Sequence, residues 1–269
     1  MQPDVILQTQ GLTMRFGGLT AVKDFSAAVP RGSIVGLIGP NGAGKTTCFN
    51  MITGFYRPTE GSVQLEGREI TGMPPHHVCR SGVARTFQNI RLFGNETVLE
   101  NVMIGAHLRQ KTGWWQSVLC LPANTREERA IAARARELLA VVGLETLAGE
   151  RANSLPYGAQ RRLEIARALA TRPTFLLLDE PAAGMNPNEK IELMGFIRDI
   201  RSGFNLTVLL IEHDMKVVMG ICEHIWVLDY GETIAAGPPE AIKSDPKVIK
   251  AYLGEEALSY VEAGARSSC

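Results

Sequence analysis

The stretch Ser33-Ile34-Val35-Gly36-Leu37-Ile38-Gly39-Pro40-Asn41-Gly42-Ala43-Gly44-Lys45-Thr46-Thr47 decides the fold. It opens as a strand-sized apolar run and turns glycine-rich at Gly39. From Gly44 to about Ile52 its pattern becomes helical. Gly39 to Thr46 fits G-x-x-x-x-G-K-[ST], a loop that wraps phosphates. Glycines let backbone N–H groups converge on phosphate oxygens without side-chain clash, and the helix behind them aims its positive end at the same anion. Lys45 is expected to reach the outer phosphates of a nucleotide and Thr46 to ligate Mg²⁺. A glycine-rich turn can match by accident, but this one follows a predicted strand and precedes a predicted helix, as the motif requires.

Working outward, residues 175–178 and 206–211 are near-continuous apolar runs, as expected of parallel strands covered on both faces. Between them a helix is predicted from Pro187 to about Arg201, with Pro187 at its start and Ile191, Met194 and Ile197 at helical spacing. Residues 5–35 and 61–70 read as turn-linked antiparallel strands punctuated by Gly17-Gly18, Gly61 and Gly67. From about Thr97 to Gly149 helical patterns dominate, including the Ala/Arg/Glu-rich residues 126–139. The expected fold class is α/β: a P-loop NTPase core with a mainly parallel sheet, an N-terminal antiparallel β subdomain and an inserted helical subdomain at about 90–160. Residues 1–254 are expected to form one domain, with 255–269 a mobile tail.

Further acids are expected to serve the phosphate loop. Phe175-Leu176-Leu177-Leu178-Asp179-Glu180 is an apolar strand ending in two carboxylates. Alone, such a pair is often a solvated turn. Beside a phosphate loop, Asp179 is expected to hold Mg²⁺ through water and Glu180 to polarise the attacking water. His213 follows another buried strand, at the edge where open α/β sheets bind ligands, and could brace a terminal phosphate. Gln88, in Arg85-Thr86-Phe87-Gln88-Asn89, could orient water or complete the metal shell.

Composition narrows the class. Lys+Arg and Asp+Glu both number 28, a balance that argues against holding nucleic acid through a broad basic face. No apolar run approaches the roughly 20 residues of a membrane span. Met1-Gln2-Pro3-Asp4 lacks the basic start of a signal peptide, so a cytoplasmic setting is expected. The five cysteines are scattered without metal-type spacing and read as reduced thiols.

Taken in order, the phosphate loop, Gln88, residues 155–169, Asp179-Glu180 and His213 resemble the ATP-binding cassette ATPases over nearly the whole chain. Leu155-Pro156-Tyr157-Gly158-Ala159-Gln160-Arg161-Arg162-Leu163-Glu164-Ile165-Ala166-Arg167-Ala168-Leu169 resembles the family signature, usually Leu-Ser-Gly-Gly-Gln, and the helix behind it. Pro156 stands where the serine should be and Tyr157 replaces the first glycine. Proline brings neither hydroxyl nor N–H, so one contact to a partner's γ-phosphate is expected to be missing. The N–H groups of Tyr157 and Gly158 remain for it. Asn186 stands where the family's D-loop has aspartate. Phe16 resembles the aromatic that stacks on adenine, although core burial is the common fate of phenylalanine.

The departures resemble one branch, the cassettes of branched-chain amino-acid importers. So do Arg85-Thr86-Phe87-Gln88-Asn89-Ile90-Arg91-Leu92-Phe93, Glu180-Pro181-Ala182-Ala183-Gly184-Met185-Asn186-Pro187 and Ala251-Tyr252-Leu253-Gly254-Glu255. The resemblance implies an ATPase that uses ATP and Mg²⁺, bound at the cytoplasmic face of the inner membrane as a peripheral subunit. It implies a second ATPase subunit, identical or not, two transmembrane permeases, and indirectly an extracytoplasmic solute-binding protein, with no nucleic acid. Residues 88–105 are then expected to form the socket for a membrane subunit, and Trp114-Trp115 a partner contact or helix packing. The rival expectations are a cassette for another substrate, lipid or a different amino acid, a subunit that binds ATP without turning it over, and a soluble cassette outside transport.

Overall fold

The computed structural model describes residues 4–109 and 122–253, so Trp114, Trp115 and the tail beyond residue 253 lie outside the described residues. Two compact units emerge, one from residues up to Val78 together with those from Leu177 onward, the other from Cys79–Leu176.

In the first unit, β1 (Val5–Phe16) and β2 (Leu19–Pro30) form an antiparallel hairpin turned at Gly17-Gly18, with Phe16 opposite Leu19. β4 (Glu60–Leu65) pairs with β1 and β5 (Arg68–Glu69) with β4, giving the order β2-β1-β4-β5. Alternation of buried and exposed residues along β2, such as buried Phe25, Ala27 and Val29, marks a sheet with one covered face.

The other sheet reads differently. β3 (Ile34–Ile38), β7 (Phe175–Asp179) and β8 (Thr207–Ile211) are buried at every residue, the pattern of parallel strands covered on both sides. β3 pairs in parallel with β8 (Leu37 opposite Ile211) and with β9 (His224–Asp229; Leu37 opposite Trp226). β10 (Glu232–Gly237) closes the order β10-β9-β3-β8-β7 as an antiparallel edge. The predicted central strands lie within a residue of their expected bounds, whereas the antiparallel hairpin expected over 5–35 ends at Pro30, because Ile34 onward joins the parallel sheet. The helices of this unit are α1 (Lys45–Ile52), α2 (Pro75–Arg80), α6 (Pro187–Gly203), α7 (Met215–Ile221), α8 (Pro239–Lys243) and α9 (Pro246–Leu253). α6 starts where the sequence predicts, with Pro187 in its first turn. Asn186 caps it by accepting the N–H groups of Asn188 and Glu189, both at 3.0 Å.

The second unit is mostly helical: α3 (Val98–Ala106), α4 (Pro122–Val141) and α5 (Tyr157–Ala170), with β6 (Val83–Arg85) ahead of them. Its core is apolar, with Val98, Val102, Leu138, Leu139, Leu163 and Ala166 all buried. α3 starts in a capping box, Thr97 Oγ1 accepting the Glu100 N–H and Glu100 returning the bond to the Thr97 N–H. Asn101, fully buried, accepts the Phe93 N–H at 2.9 Å and donates to the Phe93 and Thr97 carbonyls, which pins the segment before α3 onto it.

Gly105 in α3 packs against α5 so closely that a Cβ would stand 2.3 Å from the Arg167 carbonyl oxygen. Alanine there gains about 0.5–1 kcal/mol of helix preference but meets unyielding backbone, and overpacking costs about 1–3 kcal/mol. Gly105→Ala should therefore lower the thermal midpoint by a few degrees. An unchanged or raised midpoint in a melting curve would show that the two helices have room to part.

Candidate functional site

The phosphate loop leaves the C-terminal end of β3 and enters α1. Gly39 has φ 152°, and a Cβ on it would lie 2.1 Å from the Leu228 carbonyl oxygen, so only glycine fits against β9. The loop is braced by two backbone bonds, Ala43 N–H to Pro40 O at 3.2 Å and Gly231 N–H to Ala43 O at 3.1 Å. Lys45, the first residue of α1, is 6% exposed and folds its ammonium back over the loop, donating to the Gly39 and Pro40 carbonyls at 2.8 Å each. Burial lowers its pKa, and the negative charges of Glu180 and Asp179 partly oppose that shift. The ammonium thus lies within the field of both strand-end acids.

Gly42, Ala43, Gly44, Lys45, Thr46 and Thr47 line a cavity of about 460 Å³ with Leu19, Thr20, Ala21 and Tyr230. Pro40 and Asn41 face a neighbouring cavity of about 590 Å³, shared with Lys247 and Lys250 of α9. Phe16 ends β1 and is 44% exposed, its ring edge-on to Tyr56 at 5.4 Å between centroids. It is not a core residue.

Asp179 closes β7 and is 3% exposed. Glu180, the next residue, holds a left-handed backbone at φ 46°, one of six non-glycine residues with positive φ among those described. Its N–H donates to the Ile211 carbonyl at the end of β8 at 2.9 Å. His213 follows β8 by two residues, and its Nδ1 stands 3.6 Å from Glu180 Oε2. The ring is well exposed, with 57% of its side chain open to solvent. The parallel strands thus bring Lys45, Asp179, Glu180 and His213 to one edge of one sheet, where the sequence places them.

Gln88, Tyr157 and Gly158 gather on the second unit. Tyr157 and Gly158 are the first residues of α5, and Pro156 occupies its N-cap with no side-chain hydrogen bond. The signature departs at one further position: Ala159 stands fifth, where Leu-Ser-Gly-Gly-Gln has its glutamine.

Sequence reasoning passed over three buried charges. Glu212, fully buried, accepts the Ala182 N–H at 2.7 Å through Oε1 and the His213 N–H at 3.3 Å through Oε2. Burial raises its pKa and these bonds restrain the rise. Glu212 therefore brackets the turns carrying Glu180 and His213. Arg161 and Glu164 form an ion pair in α5 at 2.8 Å with their side chains 0% and 1% exposed. The signal was present in the sequence as an Arg and a Glu three residues apart inside a helix stripe with Ile165 and Ala168.

The match to known proteins follows this geometry. A family model described as ABC transporter matches residues 22–183, and one described as branched-chain amino acid ATP-binding cassette transporter matches residues 232–257. The chain belongs to the ABC transporter family. It is an ATPase of that family. It is 52% identical over 250 residues to the high-affinity branched-chain amino acid transport ATP-binding protein BraF of Pseudomonas aeruginosa, covering 93% of this chain and 98% of that one. To the corresponding protein LivG of Escherichia coli it is 49% identical with the same coverage. Among solved structures, the ADP conformation of MJ1267, an ATP-binding cassette of an ABC transporter, superposes with a TM-score of 0.81 at 33% identity, covering 93% of this chain and 99% of that one.

In this ABC ATPase, Glu212→Ala should free the Ala182 N–H and loosen the turn after Glu180 while leaving the phosphate loop intact. Turnover should fall about tenfold or more, because misplacing a reacting group by about 1 Å costs up to 10²-fold. Nucleotide affinity, measured by titration with a fluorescent ATP analogue, should stay within about twofold of the parent. Equal losses in affinity and turnover would place Glu212 in nucleotide binding instead.

Proposed function

We propose that this ABC ATPase is the energy-coupling subunit of an importer for branched-chain or similarly hydrophobic amino acids, working as a peripheral protein on the cytoplasmic face of the membrane. The observation that carries the reading is the 52% identity to BraF across 98% of that protein. The match of residues 232–257 to the branched-chain model supports it at the C-terminal end. Among the described residues no helix is long and apolar enough to cross a membrane, which suits a subunit that acts through separate permeases.

The donor set fits Mg²⁺. The hydroxyl of Thr46 and the carboxylate of Asp179 offer oxygen ligands, the type this hard cation takes. When bound, Mg²⁺ would neutralise charge on the β- and γ-phosphates. The loop N–H groups and Lys45 would stabilise charge that develops on the transferring phosphoryl group. Glu180 would orient and polarise the attacking water, and His213 would steady the γ-phosphate from the end of β8. Phe16, exposed at the hairpin end, would stack on adenine.

In this reading each ATP lies between the phosphate loop of one cassette and the signature of another, so the chain carries two half-sites. The N–H groups of Tyr157 and Gly158 would serve the partner's γ-phosphate. ATP favours the closed pair over the open one, and hydrolysis releases it. Residues 88–105, with Phe93 half exposed, would receive the motion of a permease or pass motion to it. An extracytoplasmic binding protein would choose the solute.

Leucine uptake by cells deleted for this gene tests the proposal. Uptake should be restored by the parent chain and not by Glu180→Gln, while purified Glu180→Gln should still bind ATP. Restoration by Glu180→Gln would remove Glu180 from catalysis. Undiminished leucine uptake in the deletion strain, with a lipid export defect instead, would favour the function named for a 38% identical relative, the lipopolysaccharide export protein LptB of Acidithiobacillus ferridurans.

A further inference from the structure

Among the described residues, Arg161 is the largest side chain held entirely out of solvent, and its contacts converge on Gln88 and the start of α5. Its Nη1 donates to the Phe87 carbonyl at 2.7 Å and to Glu164 Oε2 at 2.8 Å. Its Nη2 donates to the Gln88 carbonyl at 2.9 Å and to the Tyr157 hydroxyl at 3.3 Å. Glu164 answers with Oε1, accepting the Phe87 N–H at 3.3 Å and the Arg91 N–H at 3.4 Å. The Phe87 ring is flanked by the Arg91 guanidinium at 4.4 Å and that of Arg85 at 5.2 Å.

A buried ion pair is a poor way to stabilise a helix, since apolar residues of similar volume often do as well or better. What this pair supplies is direction. One guanidinium spans the Gln88 segment and the first turn of α5, and one carboxylate receives the same segment from both sides of Gln88. Tyr157, the residue that replaces a signature glycine, is tied in through its hydroxyl.

We propose that Arg161 and Glu164 are positioning residues for ATP hydrolysis: they clamp the backbone at Gln88 to the signature helix, so that engaging a partner's phosphate at Tyr157–Gly158 and placing Gln88 are a single event. The proposal rests on the roles given above to Gln88 and the signature. It also assigns Tyr157 a task, linking the exposed start of α5 to the buried guanidinium.

The test uses the assembled transporter in lipid vesicles, measuring kcat and KM for ATP with thermal midpoints of each variant. Glu164→Gln keeps the shape but loses the charge. It should lower kcat about tenfold with KM within about twofold, since the phosphate loop is untouched. Tyr157→Phe, at an exposed position that tolerates the change, should lower kcat about threefold and leave the melting curve unmoved. Both effects should shrink to less than about twofold on a Gln88→Ala background, the non-additivity expected of residues acting through one group. Additive losses on that background, or parental kcat in a fully folded Tyr157→Phe and Glu164→Gln pair, would overturn the clamp. If those variants are silent while Gln88→Ala and Glu180→Gln lose turnover, the clamp fails and the ATPase roles stand. A parent complex without ATP turnover would remove both.

Discussion

The parallel register of β3 against β8 is the constraint on which the edge carrying Lys45, Asp179, Glu180 and His213 depends. Leu37 lies opposite Ile211, so the chain leaves both strands at the same level, into Gly39 on one side and Glu212-His213 on the other. β7 joins this edge because the Glu180 N–H bonds the Ile211 carbonyl. Three strands buried at every residue hold that alignment by apolar packing on both faces. A one-residue slip would turn each strand's side chains over and scatter Lys45, Asp179, Glu180 and His213. The loop geometry then follows locally, since Gly39 touches β9 backbone where no Cβ fits.

Buried charge plays a related part in each unit. Glu212 and the Arg161–Glu164 pair are spent on backbone N–H and C=O groups of turns, not on general stability. Turns carry polar backbone that must be satisfied wherever it is buried. A charged side chain with several donors or acceptors does this with a fixed direction, which a hydrophobic contact cannot. Removing one member of such a buried pair leaves the other uncompensated, at about 3–5 kcal/mol. These residues therefore tie local order to the integrity of the site.

Much of this was legible in the sequence because the signals are short-range. Strand length, glycine punctuation and the proline that opens α6 are written in consecutive residues, and the fold follows them closely. That the acids at 179–180 and the histidine at 213 stand at strand ends was legible because the apolar runs before them stop there. Phe16 was readable only as a choice between base stacking and core, and its exposure removes the core alternative. The backbone groups that Glu212 and Arg161 hold were not legible, since they lie 30 and 73–74 residues away in the chain. The hydroxyl of Tyr157 likewise acquires meaning only when α5 is coiled and Arg161 lies one turn on. Ala159 was simply overlooked: the five-residue signature pattern, laid along residues 155–159, reveals it without a structure.

In the proposed function the loop at residues 39–47 is half of an ATP site completed by another cassette's signature. Photocleavage of the assembled complex trapped with ATP and orthovanadate examines that arrangement at the γ-phosphate position. Ultraviolet light then cuts backbone next to the bound vanadate, and mass spectrometry locates the cuts. Cleavage is expected within residues 39–47 of this chain together with cleavage in the signature of the partner subunit. Cuts confined to this chain's own loop, with the partner's signature intact, would contradict it.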